Sequence, residues 1–167
     1  MTTRLDLSQV TLCAASSVNL AATVRALELC MAQIDFAEVL LFTDSASTAR
    51  LAPVDPAIRI VEIAPLLSSP AYSDFILHGL PDHVASDFCL VVQWDGHVID
   101  AGRWRDEFLD YDYIGASWPQ FDDGHDVGNG GFSLRSRRLM ALCRSSEFTA
   151  HHPEDIAIGR TNRAFLE

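Results

Sequence analysis

Three short stretches of this chain combine residue types that could do chemistry. The first is Gln93-Trp94-Asp95-Gly96-His97. It follows residues 88–92, Phe-Cys-Leu-Val-Val, an apolar run with no polar break, so Asp95 stands where a strand buried on both faces surfaces. A carboxylate there suits a hard cation such as Mg2+ or Mn2+, which takes oxygen ligands and bridges carboxylate to phosphate. His97 points to the same side if the chain stays extended, and is a candidate second ligand. Asp-Gly is also a turn pair, and both readings stand. The second stretch is Gly128-Asn129-Gly130-Gly131, whose three glycines allow close backbone approach to a ligand and present amide donors. It lacks the lysine of a phosphate-binding P-loop and does not open a helix after a strand. A tight irregular turn is the commoner outcome for an isolated glycine-rich loop. The third is His152-Pro153-Glu154-Asp155. Acids at a helix start complement the helix dipole, whereas a functional carboxylate would take the proton of an attacking hydroxyl. The residues alone do not choose between Glu154 and Asp155.

The elements that must position these groups follow from periodicity. Residues 10–15 form a short apolar strand, followed by Ser16, Ser17 and Asn19, the last a helix cap. Leu20, Val24, Leu27, Met31 and Ile34 recur at helical spacing. Strands are expected over 39–42, ending at Thr43-Asp44, over 58–63, and over 87–93. A helix starts at Ser69-Pro70 and stops at Leu80-Pro81. A short helical piece over 104–109 and a strand over 113–116 precede a polar loop, 120–131. A strand over 132–134 then leads to a helix capped by Ser136, and Pro153 opens a last helix. This order favours a mostly parallel α/β sheet. Ligands of such sheets bind beyond the carboxyl ends of the strands, which singles out Ser16, Ser17, Asp44, Gln93 and Asp95. Trp94 and Trp118 flank those loops and are stacking candidates. Arg135, Arg137 and Arg138 read as a solvated helix face, with Arg135 nearest the glycine loop. Trp104, Phe108, Tyr111 and Tyr113 read as core.

Size and charge narrow the class of partner. The 167 residues fit one domain, 1–167, and 49% hydrophobic with 21% charged residues is a globular balance. A net charge of −11 excludes a duplex-binding face and disfavours anionic membranes. It permits a polyanionic ligand whose charge a divalent cation masks. Cys13, Cys30, Cys89 and Cys143 have neither zinc nor redox spacing and read as buried thiols. No apolar run approaches the roughly 20 residues of a membrane span, and the N-terminus lacks a secretion-signal pattern. A cytoplasmic soluble protein is the expectation.

Several stretches together resemble one family. They include Glu38-Val39-Leu40-Leu41-Phe42-Thr43-Asp44, Gln93-Trp94-Asp95-Gly96, Tyr111-Asp112-Tyr113-Ile114-Gly115-Ala116, Gly128-Asn129-Gly130-Gly131-Phe132-Ser133-Leu134-Arg135-Ser136 and His152-Pro153-Glu154-Asp155. Their order resembles the domain of unknown function DUF5672, which is similar to GT-A type glycosyltransferases. The resemblance implies a Rossmann-like three-layer α/β/α sandwich with a mostly parallel mixed sheet. It implies sugar transfer, inverting and metal-assisted, from a nucleoside diphosphate sugar to a hydroxyl acceptor. Asp95 would hold Mn2+ or Mg2+, with His97 beside it, although Gln93 replaces the first acid of the Asp-x-Asp motif usual in such enzymes. Ser16, Ser17, Asp44, Gln93, Trp94, Asn129, Gly130 and Gly131 would bind donor and acceptor. Asp155, or Glu154, would be the base, the resemblance favouring Asp155. GT-A chains usually continue beyond the acid pair to a metal-binding histidine. Here the metal site is incomplete, or His97, His151 or His152 would substitute, or the domain is a shortened one. A non-catalytic carbohydrate- or protein-binding domain derived from such an enzyme is the alternative.

Overall fold

The longest strand, β1 (Leu5–Ala15), anchors the computed structural model, which describes residues 4–167. Its second half, Val10–Ala15, is buried throughout, whereas Leu5 and Leu7 alternate with outward Asp6 and Ser8. That alternation is a strand pattern too, and the strand therefore begins five residues before the expected 10–15. Pairing with β2 (Ile34–Thr43) shifts register between Leu7 and Thr11, where β1 bulges. Ile34, the last residue of the expected helical stripe, is instead the first of β2. Helix α1 (Leu20–Met31) ends before it. Asn19 adopts a left-handed conformation (φ 50°) and makes no side-chain cap; its carbonyl accepts the Thr23 amide at 3.0 Å.

The six strands lie in the order β3-β2-β1-β4-β6-β5, with β3 at Ile58–Glu62, β4 at Phe88–Val91, β5 at Tyr113–Gly115 and β6 at Ser133–Ser136. β1 runs parallel to β2 and β4, and β2 parallel to β3; β6 is antiparallel to both β4 and β5. The sheet is thus mixed and mostly parallel, as expected for α/β architecture. One face packs Leu12, Leu41, Leu90 and Leu134 against α1 and, farther along, against residues 98–109. The other face packs Phe42, Cys89 and Val91 under Ile76, Leu80 and Met140. Those three come from α3 (Ser69–Asp74) and its continuation through residues 75–82, and from α4 (Arg137–Leu142). Ser68 and Ser136 cap α3 and α4 through their hydroxyls. Short helical pieces include α2 (Ser45–Thr48), α5 (Glu154–Ile156), which continues through Ala157–Thr161, and α6 (Arg163–Leu166).

All four cysteines are buried free thiols. Among the described residues no helix is long and apolar enough to cross a membrane. Two expectations about exposure fail in this part of the sheet. Arg135 is not on a solvated helix face: it lies on β6, 2% exposed, because Leu134 faces one side of the sheet and Arg135 therefore faces the other. Tyr111, expected in the core, is 61% exposed, since it precedes β5 at an open edge.

Candidate functional site

β1, β2 and β4 deliver their carboxyl ends, Ala15, Thr43 and Val91, to one rim of the sheet. β6 runs the other way, so its first residue, Ser133, pairs with Val91 and Gly115 at that same rim. The glycine loop that leads into Ser133 must therefore lie beside the segment that leaves Val91. Antiparallel pairing achieves what the chain order alone would not show.

Beyond Val91 the chain makes a tight turn in which the Gln93 amide donates to the Gly96 carbonyl at 3.2 Å and the Gly96 amide returns to Gln93 at 3.1 Å. The turn reading of Asp95-Gly96 holds, and the turn itself lifts Asp95 and the half-exposed Trp94 into solvent. His97 is partly buried and shares with Asp95 the lining of a cavity described below. Among the described residues no group of three or more His, Cys, Asp or Glu side chains is arranged to hold a metal ion. Asp95 is a single carboxylate, a set that fits a cation arriving with its own phosphate ligands better than a resident one.

The glycines are explained by crowding. A Cβ on Gly130 would collide with the Glu154 carboxylate and sit 3.2 Å from the Asp155 Cβ; one on Gly131 would lie 2.6 Å from Gln93 Oε1. The three sequence stretches therefore meet, with the glycine loop wedged between the other two. The amides of this loop are not free, however. Asn129 N–H donates to the Ala116 carbonyl (3.2 Å), Gly130 N–H to Asp155 Oδ2 (3.1 Å) and Gly131 N–H to Asn129 Oδ1 (3.1 Å). The expectation of amides presented to a ligand is corrected: backbone donors here are satisfied within the chain.

The two adjacent acids are separated by their surroundings. Glu154 is 5% exposed; Ser73 Oγ donates to its Oε2 at 2.8 Å, and Arg135 Nη2 lies 3.4 Å from its Oε1. Arg135 also donates to Ser133 Oγ at 3.0 Å and to the Gly130 carbonyl at 3.4 Å, under the Tyr113 ring. Glu154 is thus consumed in the foundation of the glycine loop. Asp155 is half-buried and faces Gly130. Burial pushes its carboxyl above the ordinary 3.8, against the Gly130 N–H bond that favours the charged form, while the Glu154 charge adds to the rise. Close by, Tyr72 Oη is buried with no hydrogen-bond partner among the described residues. Burial first, and then the Glu154 charge, push that phenol well up, while Gln93 and Arg135 act in the opposite direction.

Ser16, Ser17 and Asp44 gather at the adjoining ends of β1 and β2. Ser16 Oγ accepts from Val18 N–H at 3.2 Å, Ser17 Oγ accepts from Leu66 N–H at 2.8 Å, and Asp44 Oδ1 caps α2 by accepting from Ser47 N–H at 2.9 Å. Hydrogen bonds from Ser47, with help from Ser17, hold the Asp44 carboxyl down at about 2. Beside them opens a cavity of about 560 Å3 lined by Ser17, Asn19, Ser47, Arg25 and Arg50. The two arginines carry no motif that sequence reading could use; folding places both on one cavity wall. Trp118, a stacking candidate, is 9% exposed, edge-on to Phe121 at 5.5 Å and covering Gly128. It packs the loop from beneath, because Arg160 lies 3.8 Å from the Phe121 ring and pairs with Asp123 at 2.6 Å, folding 117–128 onto the C-terminal helical segment. His151 and His152 are engaged with Thr161 (2.7 Å) and Ser73 (2.8 Å).

A family described as "Protein of unknown function (DUF5672)" matches residues 57–165. No curated protein matches the chain. Among solved structures, the mannosyltransferase PcManGT from Pyrobaculum calidifontis, in complex with GDP-Man and Mn2+, is similar with a TM-score of 0.57 at 12% identity. The match covers 93% of this chain and 51% of the other, so this chain spans about half of that protein's length. At that identity the likeness is one of fold: a glycosyltransferase-like, Rossmann-like α/β arrangement.

Proposed function

The chain belongs to the DUF5672 family, and from that premise we propose that its rim transfers a sugar from a nucleoside diphosphate sugar to a hydroxyl acceptor. The observation that supports this most is the contact chain Gln93–Gly131, Gly130–Asp155, which brings the β4 turn and a desolvated carboxylate to opposite sides of one loop. The nucleoside end of the donor lies along Ser16, Ser17 and Asp44 and the cavity bearing Arg25 and Arg50. Its diphosphate reaches the β4 turn, with Gln93, Trp94 and the loop Asn129–Gly130–Gly131 bounding the sugar. Asp155 is the base. Its carboxyl is raised by burial, which brings its proton affinity closer to that of a working base at neutral pH. It takes the hydroxyl proton as the acceptor oxygen attacks the anomeric carbon, and the diphosphate leaves from the opposite face, with inversion. Glu154 holds Arg135 and through it the loop carbonyl of Gly130. Asp95, with His97 beside it, would hold a divalent cation, which when bound neutralises charge developing on the departing diphosphate.

Two observations favour a second reading, a non-catalytic carbohydrate- or protein-binding domain. Gln93 stands where a second metal-binding acid is usual, and no three-residue metal group exists among the described residues. Thermal unfolding with GDP-mannose and other nucleotide sugars, with and without Mn2+, separates the two. A donor at 100 times its Kd adds about 2.7 kcal/mol. The enzyme reading expects a shift that needs Mn2+ and disappears in Asp95→Asn; a shift from free sugar that ignores Mn2+ and Asp95 favours the binding domain.

A further inference from the structure

Helix α1 covers one face of the sheet over β1 and β2, and among the described residues no equivalent helix covers that face over β4, β6 and β5. Residues 97–110 cross there as loop and two short 3-10 turns, Ala101–Arg103 and Asp106–Asp110. They are pinned at one end, where Gln33 bonds the Val98 carbonyl (3.0 Å) and the Ala101 amide (3.1 Å). A loop fills such a space less completely than a helix, and a cavity of about 950 Å3 remains beneath it. That is at the upper end of the range typical of small-molecule sites, about 300–1,000 Å3.

The distribution of its lining carries the inference. The floor is Leu7, Leu90, Ile114 and Leu134 from four strands, and the roof is Val98, Trp104 and Phe108. Its charged and titratable lining is confined to Asp95, His97, Asp100 and Arg103, and the first two belong to the β4 turn of the proposed reaction centre; Ser133 lines it too, but its hydroxyl is turned to the other face by bonds with Gly130 and Arg135. Gly96 lies against Phe132 and the Gly131 carbonyl, so the cavity opens next to the glycine loop. A site with a polar mouth at the reacting groups and an apolar interior matches an amphiphile whose hydroxyl stays at the mouth. It does not match a nucleotide, whose charge the apolar walls would desolvate. The chain's charge of −11 disfavours an anionic tail.

We propose that this cavity holds the neutral, apolar part of the acceptor, an alkyl or aromatic aglycone, with its hydroxyl presented at the rim. The proposal names the acceptor class for the sugar-transfer reading and rests on that reading for the word acceptor. Its test uses calorimetric titration of the full chain, without any donor, with methyl, butyl, hexyl and octyl glucosides below their micelle concentrations. Affinity is expected to rise with chain length, up to about fourfold per methylene. Two variants should flatten that rise: Ala101→Phe, which fills the cavity, and Ile99→Asp, a change at a lip residue 87% exposed that leaves the core untouched. Affinity independent of chain length, or a rise unchanged in both variants, overturns the site. Sedimentation showing that octyl glucoside only dissociates a dimer makes a second copy the occupant and also overturns it. Length-dependent binding in a protein that transfers no sugar from any donor keeps the ligand site and overturns its acceptor role, so the two readings fail separately.

Discussion

Asp44 and Asp155 both stand at the start of a helical turn near the same rim, and their surroundings move them in opposite directions. Asp44 accepts from Ser47, three residues on, and its carboxyl is held at about 2. Asp155 is desolvated by packing and meets Gly130, which is 25 residues away, and its carboxyl is raised. A carboxylate satisfied by its own neighbours stays charged and serves the fold. One whose charged form is penalised by distant parts of the chain keeps some appetite for a proton. The β1–β2 side of the rim thus spends its polar side chains on capping and turn geometry, while the acid side leaves Asp155 raised and Tyr72 Oη without a partner among the described residues.

The sharpest way to break this contrast is Asp155→Asn. Loss of a general base is expected to cut transfer about a hundredfold to ten-thousandfold. The stability effect has the other sign: a raised folded pKa means the native state disfavours the charged form, so stability is lost as pH rises through that pKa. Asp155→Asn should therefore unfold no earlier than the parent at neutral pH. Parent activity should fall on acidification at a higher pH than an ordinary carboxylate of 3.8. Turnover retained within tenfold in the variant ends the base assignment.

Glu154 should behave as foundation. Glu154→Ala leaves Arg135 buried without its charge partner, and breaking such a pair costs about 3–5 kcal/mol. Urea unfolding of Glu154→Ala against the double variant Arg135→Met with Glu154→Leu checks this: the double variant should recover most of the loss. Equal losses in both would mean that the pair itself, not the orphaned charge, sustains the loop.

The smallest effect is expected at Asp44. Asparagine caps about as well as aspartate, so Asp44→Asn should unfold at nearly the parent temperature at pH 7. A depressed folded pKa contributes stability above the unfolded value, and this is lost as pH falls toward about 2. Asp44→Asn should therefore show a shallower acid limb between pH 4 and 2. An unchanged limb would remove the distinction between the two aspartates.

Much of this rim was legible in the chain. The apolar run ending at Gln93 announced a covered strand, and β4 does lie between β1 and β6. Ser68 and Ser136 cap where turn chemistry put helix starts. What could not be read was the use of each polar group. Asn19 has a capping side chain and leaves it unused. Trp118 looked like a stacking platform and is packing for Gly128. Arg135 resembled its neighbours Arg137 and Arg138, yet strand alternation turned it inward.

The order of strands and helices and the polar residues at the strand ends come from periodicity and residue type, which are properties of short windows of sequence. The different surroundings of Glu154 and Asp155, the need for glycine at positions 130 and 131, the partners of the loop amides and the cavity under residues 97–110 were decided by tertiary structure. The free energy of a carboxylate or an amide depends on which groups exclude water from it. Here those groups, Arg135, Ser73 and Gly130, lie 19, 81 and 25 residues from the acids they touch.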